Sequence, residues 1–247
     1  MSGAQQPGCL YGIGTGPGCP ELMTVKAVRV LGECPVVAHF CKKGSRGNAL
    51  TTATPYLRDD HEVMPMSYPV TTELPVSSPE YASQIEAFFD DCAHDLAEYL
   101  DSGRSVAVLS EGDPFFYGSF MHVFLRLRDR FPTCVVPGVP AALAGAAQLP
   151  IPLTMRDDVL SVIPGTLPDR AMESALASGQ AAVIMKVGRN LPRIRQALRA
   201  VGMEERAWYV ERASMVEERV MPLADAPEGS APYFSLILVP GRGERHA

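Results

Sequence analysis

Two glycine-bearing segments, each at the end of a short apolar run, constrain this chain more than any other feature. The first is Leu10-Tyr11-Gly12-Ile13-Gly14-Thr15-Gly16-Pro17-Gly18-Cys19-Pro20-Glu21-Leu22-Met23-Thr24, and the second is Ser110-Glu111-Gly112-Asp113-Pro114-Phe115-Phe116-Tyr117-Gly118. Each precedes a stretch with helical patterning. A loop between strand and helix sits at the carboxyl end of the strand, where open α/β sheets bind their ligands.

The rest of the chain extends this alternation of strand and helix, which predicts a mostly parallel sheet. Strands are expected at residues 9–14, 34–40, 61–66, 106–109 and 133–136. Helical spacing runs from Pro20 to Gly32, with Leu22, Val25, Val28 and Arg29 read as its stripe and Leu31 just beyond. It recurs from Glu80 to Ser102 (Ile85, Phe88, Phe89, Cys92, Leu96, Tyr99, Leu100) and from Phe116 to Arg130. Residues 42–54 read as a polar, basic segment, and Tyr68 to Pro79 as a Pro/Thr/Ser loop. Pro137-Gly138-Val139-Pro140 reads as a hinge, followed by an Ala-rich helix at 141–148. Beyond it, strands are expected near 159–163, 181–187, 206–211 and 233–239, with helices at 168–178 and 190–201. Few helices separate the last strands, so that half should be a mixed sheet with antiparallel pairs. The expectation is an α/β protein of two lobes, residues 1–137 and 138–247, with a small-molecule cleft between them. No repeat of fixed period and no low-complexity tract interrupts this pattern.

Length and composition agree: 247 residues, 47% of them hydrophobic, suffice for one large domain or two modest ones. A net charge of −6 argues against general nucleic-acid binding while leaving room for a local basic patch. No apolar run approaches the ~20 residues of a membrane span. The segment Met1–Gly8 lacks a basic region followed by an apolar stretch, so it does not read as a signal peptide, and the cytoplasm is the expected compartment. The six cysteines (Cys9, Cys19, Cys34, Cys41, Cys92, Cys134) show no C-x-x-C spacing and read as reduced and structural. The five histidines (His39, His61, His94, His122, His246) lack metal-ligand spacing, and no metal is expected.

The first glycine loop fails the dinucleotide fingerprint. Counting six positions from Gly12 reaches Pro17, and from Gly14 reaches Cys19, so neither register gives G-x-G-x-x-G. Pro17 also removes a backbone donor that a phosphate cradle would use. Taken alone, Glu111-Gly112-Asp113-Pro114 is a good type I turn. Directly after the most apolar strand of the first half, its carboxylates could bind a ligand hydroxyl or amine, or accept a proton. The small residues of Gly138-Val139-Pro140-Ala141-Ala142-Leu143-Ala144 suit close approach of a flat ligand, or plain helix packing. Met185, inside Val183-Ile184-Met185-Lys186, is by itself more typical of core than of a ligand contact. Lys42-Lys43-Gly44-Ser45-Arg46-Gly47, with Arg156, Lys186, Arg189 and Arg212 elsewhere, could meet anionic groups; Arg holds carboxylates bidentately.

Together these segments resemble one family, the tetrapyrrole (corrin and porphyrin) methyltransferases, from about Leu10 to Val239. The general motifs are Gly12-Ile13-Gly14-Thr15-Gly16-Pro17-Gly18 with Pro20-Glu21-Leu22-Met23-Thr24, then Gly112-Asp113-Pro114, and Ile151-Pro152-Leu153-Thr154. Three segments resemble the branch that methylates ring position C20: Lys42-Lys43-Gly44-Ser45-Arg46-Gly47-Asn48-Ala49, Tyr68-Pro69-Val70-Thr71-Thr72-Glu73, and Glu111 through Ser119. Cys19 stands where many relatives carry Asp, so no carboxylate is essential there.

The resemblance implies a homodimer of two α/β lobes that uses S-adenosylmethionine (SAM). By motif, SAM would be contacted by Pro17, Glu111, Gly112, Asp113, Ala141, Ala142, Met185 and Ala213, much of it through backbone groups. The implied reaction carries the SAM methyl to C20 of precorrin-2, giving precorrin-3A in cobalamin biosynthesis. The electron-rich ring carbon is itself the nucleophile, so alignment would supply most of the acceleration. Asp113 and Glu111 are the candidates for handling the proton, and Lys42, Lys43, Arg46 and Arg156 those for the substrate's carboxylates. Alternatives are the cobalt-containing substrate cobalt-factor II, another tetrapyrrole, or a non-catalytic SAM- or tetrapyrrole-binding protein; a nicotinamide enzyme is disfavoured by the failed glycine spacing.

Overall fold

The computed structural model describes residues 6–70 and 78–243. Thr71-Thr72-Glu73 and His246 lie outside the described residues. The chain divides into two compact units, Met1–Pro140 and Ala141–Ala247, parting at the end of the Pro137–Pro140 segment.

The N-terminal unit runs β1 (Leu10–Gly14), α1 (Val25–Glu33), β2 (Val36–Lys42), α2 (Asn48–Ala53), β3 (Glu62–Tyr68), α3 (Pro79–Asp101), β4 (Val106–Ser110), α4 (Phe120–Leu127) and β5 (Thr133–Val136). Its sheet has the order β3-β2-β4-β1-β5, and every pairing is parallel. Helices cover both faces, so β4 is buried at every position, as a parallel strand covered on two sides requires. Leu10, Val36, Val106 and Val108 pack under α3 and α4 with Phe89, Leu96, Leu100, Phe120 and Val123. Ile13, Val37, Ala107 and Leu109 face the other way, against Ala27, Val30 and Leu31 of α1. Adjacent residues of one strand thus serve opposite cores, the two-residue alternation of a pleated strand.

Three expectations change here. The α1 stripe is Met23, Ala27, Val30, Leu31 and Cys34, while Val25 is 87% exposed. The reason is phase: Pro20–Leu22 forms a separate 3-10 turn, and the helix restarts after Thr24, whose hydroxyl accepts from the Ala27 amide. Helix α4 begins at Phe120 rather than Phe116, because the chain is still turning at Tyr117, where φ is +59°. The polar segment 42–54 contains a real helix, α2, continued by a 3-10 turn at Thr54–Tyr56.

The C-terminal unit runs α5 (Ala141–Ala146), β6 (Leu160–Pro164), α6 (Asp169–Ser178), β7 (Ala181–Met185), α7 (Leu191–Ala200), β8 (Trp208–Glu211), β9 (Arg219–Pro222) and β10 (Ser235–Val239). The sheet order is β6-β7-β10-β8-β9; β6 and β7 are parallel, and the other pairs are antiparallel. The mixed sheet is as expected; strand β9, a hairpin partner of β8, was not. Helices α6 and α7 bury Met172, Leu176, Ile194 and Leu198 against Ile163, Ile184, Tyr209 and Ile237. Helix α5 lies on Val210, Leu236 and Leu238; a side chain at Gly145 would begin 3.2 Å from the Val210 Cγ1. None of the six cysteines is in a disulfide. Among the described residues no group of three or more His, Cys, Asp or Glu could hold a metal ion, and no helix is long and apolar enough to cross a membrane.

Candidate active site

In the N-terminal sheet β1 lies between β4 and β5, so the loops leaving these three strands emerge side by side. They are joined through backbone. The Thr15 amide and hydroxyl both donate to the Ser110 carbonyl, at 2.9 and 3.1 Å. Gly16 and Gly112 then exchange amide-to-carbonyl bonds of 3.2 and 2.8 Å, a two-residue antiparallel bridge between the two signature segments. Only glycine fits this junction. A Cβ on Gly14 would stand 2.5 Å from the Gly138 nitrogen, and one on Gly138 would stand 2.1 Å from the Gly112 carbonyl oxygen. Gly112 itself has φ of +65°, in the left-handed region.

Asp113 fastens the third loop to the second. Its Oδ2 accepts from the Gly138 amide at 3.1 Å and its Oδ1 from the Phe115 amide at 2.9 Å. Both carboxylate oxygens are therefore engaged by backbone donors, a clamp that sequence alone does not reveal. Glu111, by contrast, is exposed. The protein crowding it pushes its carboxyl above the usual carboxylate range by desolvation, and a hydrogen bond from the Asn48 side chain acts in the other direction. Pro17 is buried beside the bridge, and Cys19 is half-buried.

The basic loop connects β2 to α2. The Ser45 amide and hydroxyl both bond the Lys42 carbonyl, at 2.9 Å each, which turns the chain back. Gly47, with φ of +74°, returns so close to β2 that a Cβ there would stand 2.8 Å from the Phe40 carbonyl oxygen. Lys42, Lys43 and Arg46 are exposed. In the same unit Arg58, Arg104, Arg126 and Arg130 all pair with carboxylates. The three loop cations form no salt bridge among the described residues, and Arg46 instead donates to the Thr54 hydroxyl at 3.2 Å. Behind the loop His39 is 3% exposed with its Nδ1 unpaired, and burial lowers its pKa. A lone histidine on a strand gave no signal of this position.

In the C-terminal unit, Met185 ends β7 and Ala213 follows β8. Both β7 and β8 run antiparallel to β10, so Met185 and Ala213 share one end of the sheet, on either side of the start of β10. Each is flanked by left-handed backbone without glycine: φ is +57° at Lys186, +51° at Arg212 and +64° at Ser214. Such conformations cost about 1–3 kcal/mol each and cluster at ligand sites. Buried Glu211 steadies the second corner, accepting from the Tyr209 hydroxyl at 3.0 Å and from Arg212 at 2.9 Å. Ala141 is half-buried and Ala142 buried within α5. Arg156 precedes β6 and donates to the Gly243 carbonyl beyond β10 at 3.2 Å, which puts it at the opposite end of this sheet from Met185 and Ala213.

A glycine-lined junction thus lies at the carboxyl ends of a parallel sheet, where α/β proteins bind small molecules, beside a loop whose cations form no salt bridge among the described residues. Residues 9–227 match the model of the tetrapyrrole (corrin/porphyrin) methylases, and the chain belongs to that family. It is similar to a precorrin-2 C(20)-methyltransferase from Sinorhizobium sp, 49% identical over 238 residues, covering 96% of this chain and 97% of that one. It is 29% identical to a cobalt-precorrin-2 C(20)-methyltransferase from Salmonella typhimurium, over 94% of this chain and 96% of the other. Among solved structures it resembles uroporphyrin-III C-methyl transferase from Thermus thermophilus in complex with S-adenyl homocysteine. The TM-score is 0.65 at 26% identity, covering 96% of this chain and 98% of that one.

Proposed function

We propose that this protein transfers a methyl group from SAM to C20 of precorrin-2, giving precorrin-3A in cobalamin biosynthesis. The observation that carries the reading is the near-full-length similarity to the Sinorhizobium precorrin-2 C(20)-methyltransferase at 49% identity. The lower similarity to the cobalt-precorrin-2 relative, at 29%, favours the metal-free substrate.

The junction suits SAM chemically. It offers backbone groups and small side chains, and Glu111 adds one accessible carboxylate. The positions that the family resemblance assigns to SAM are Pro17, Glu111, Gly112 and Asp113 of the N-terminal unit and Ala141, Ala142, Met185 and Ala213 of the C-terminal unit. SAM supplies an electrophilic methyl on a sulfonium, and the electron-rich ring carbon needs no protein nucleophile. What the chain supplies is position, worth several powers of ten in rate when the reacting atoms are held in line. Asp113 contributes by fixing the Gly112 and Gly138 loops against one another. Glu111, with its raised pKa, is the proposed proton acceptor, since a base works best when its pKa approaches the operating pH, whereas both Asp113 oxygens already accept from backbone amides. Lys42, Lys43 and Arg46, with Arg156 of the C-terminal unit, are the cations proposed for the substrate's carboxylates; Arg156 also donates to the Gly243 carbonyl. The resemblance also supports a homodimeric, cytoplasmic enzyme, and light scattering on the gel-filtration peak tests the dimer.

The functional test is an anaerobic assay with precorrin-2 and methyl-labelled SAM, read by mass spectrometry and NMR. One added methyl at C20 is the expected product. Transfer to cobalt-factor II alone would move the reading to the cobalt-containing substrate. Binding of SAM without transfer to either would overturn the enzyme assignment.

A further inference from the structure

The turn that leaves β8 is tied to a buried carboxylate. Glu211, the last residue of β8, is buried, and both of its oxygens are engaged. Oε1 accepts from the Arg212 guanidinium at 2.9 Å. Oε2 accepts from the Tyr209 hydroxyl at 3.0 Å and lies 3.8 Å from the Arg219 guanidinium of β9. Tyr209, fully buried, shares a second hydrogen bond of 3.0 Å with Ser235, the residue that pairs with Glu211 on β10. Groups from β8, β9 and β10 thus fix the carboxylate. Arg212 carries that hold into the turn, because its guanidinium also reaches Glu217 at 3.3 Å. Its φ of +51° is a conformation in which glycine would be least strained, yet glycine would lose both ion pairs. The main chain follows the same pattern. The Arg212 amide donates to the Phe234 carbonyl at 2.8 Å, the Met215 amide to the Arg212 carbonyl at 2.9 Å, and the Ser214 amide to the Glu218 carboxylate. Between them the amide of Ala213, a residue only 5% exposed, donates to nothing among the described residues. Buried amides are nearly always paired, so this one marks a main-chain donor for a ligand to take.

We propose that Glu211 is a positioning residue: through Arg212 it holds the Arg212–Ser214 turn in the left-handed shape that presents the Ala213 amide to the cofactor. This rests on the reading that Ala213 contacts SAM. Residues with side chains rarely adopt the φ of +51° at Arg212 or +64° at Ser214, and they persist there only where the surroundings enforce it. The enforcing groups are on the page. A carboxylate–guanidinium hydrogen bond is about twice as strong as a neutral one, and this one is anchored at a strand end rather than on a mobile surface side chain. By charge alone Arg212 reads as a cation for anionic ligands; the structure gives it two carboxylates of its own. Its part is therefore to brace the turn, and the ligand meets the backbone that the brace holds.

The experiment is calorimetric and needs no turnover. S-adenosylhomocysteine is titrated into the wild type, Glu211→Gln, Arg212→Met, the double variant E211Q/R212M and Leu198→Ala, with a circular dichroism melt of each. Glu211→Gln keeps the shape and removes the charge. Arg212→Met keeps the aliphatic stem and removes the guanidinium. Each single variant should weaken S-adenosylhomocysteine about tenfold, the effect of losing a charge-assisted bond that orders the turn. The double variant should match the worse single within about twofold, because both changes remove the same tie. Leu198→Ala is the stability control: it empties a place in the C-terminal core under α7, away from the turn. It should lower the melting temperature and still bind S-adenosylhomocysteine within about twofold of the wild type. A Glu211→Gln protein that binds as tightly as the wild type overturns the proposal. So do single losses that multiply in the double variant, which would make Arg212 a direct ligand contact, and so does a Leu198→Ala protein that loses as much affinity as Glu211→Gln. Failure of the underlying reading shows elsewhere, in a wild type that binds no S-adenosylhomocysteine; that result overturns the proposal too, at its first step.

Discussion

Replacing Gly138 with alanine probes the glycine junction with one carbon atom. The new Cβ would stand 2.1 Å from the Gly112 carbonyl oxygen and 2.8 Å from the Gly14 Cα, whereas ordinary contact begins near 3.4 Å. The obstructing atoms are backbone, held in turn by the Thr15–Ser110 and Gly16–Gly112 bonds, so no flexible side chain can swing aside. Gly138 is not among the positive-φ residues, so the cost comes from contact rather than backbone conformation. Overpacking of this kind costs about 1–3 kcal/mol. Separating the loops also strains the bond between Asp113 and the Gly138 amide, and hydrogen bonds to charged groups are worth about 1.5–3 kcal/mol. Together a loss of about 3–5 kcal/mol is expected, which for a unit of this size lowers the melting temperature by roughly 10–20 °C. Circular dichroism melts give the stability, and titration with S-adenosylhomocysteine should show binding lost at concentrations that saturate the wild type. Gly32→Ala is the control: nothing lies within 4 Å of its Cβ position in α1, and alanine in a helix gains about 0.5–1 kcal/mol over glycine. A Gly138→Ala protein that melts with the wild type and binds S-adenosylhomocysteine normally would refute the junction's role.

Asp113→Asn keeps the shape but turns an amide NH2 toward a backbone amide that now donates to Asp113; a loss of about 1.5–3 kcal/mol is expected in urea denaturation, and an unshifted midpoint would contradict the clamp. For Glu111 the folded pKa is raised above its ordinary 4.5, so the stability the protonated form contributes is present below pH 4.5 and lost as the pH rises through the raised value. Glu111→Gln, which cannot ionise, should be more stable than the wild type at neutral pH and lose that advantage in acid; a gap independent of pH would count against the desolvated carboxyl. Cys34 and Cys92 have thiols pushed up to about 12 by burial. Iodoacetamide at pH 8 should leave both unmodified in the native protein and label both in urea, as peptide mapping would show; rapid native labelling of either would be inconsistent with this burial.

Much of the architecture was legible because burial on both faces forces continuous apolar runs. Val106–Leu109 and Val183–Met185 could be little else than strands, and their neighbours followed from alternation. The α1 stripe was misread because a helix was counted from Pro20, when the cap at Thr24 resets the phase. Helix α2 was hidden for a different reason. Its residues, Asn48-Ala49-Leu50-Thr51-Thr52-Ala53, include Asn and two Thr of modest helix propensity, and the helix is held by packing of Ala49, Leu50 and Ala53 into the core. The site shows the same division. Glycines and the Gly112-Asp113-Pro114 turn marked the loops that the structure joins through backbone. That both Asp113 oxygens are occupied by amides, one of them 25 residues away at Gly138, follows only once β4, β1 and β5 stand side by side. Arg156 reads as a fourth substrate cation from its charge; the register of β6, β7 and β10 adds only its place in the C-terminal sheet, at the end away from Met185 and Ala213.

The order of strands across the N-terminal sheet also governs how the protein is born. Strand β1 is made first, yet its partners are Val106–Ser110 and Thr133–Val136. On the ribosome Leu10 and Ile13 must therefore wait, uncovered, while more than half of the chain is synthesised, at about 5–20 residues per second. The junction of Gly14, Gly112 and Gly138 cannot assemble until the last of these has left the exit tunnel. Nascent chains shorter than that should be clients for chaperones that shield bare apolar strands, and the unit should acquire its ligand site and its protease resistance in the same moment.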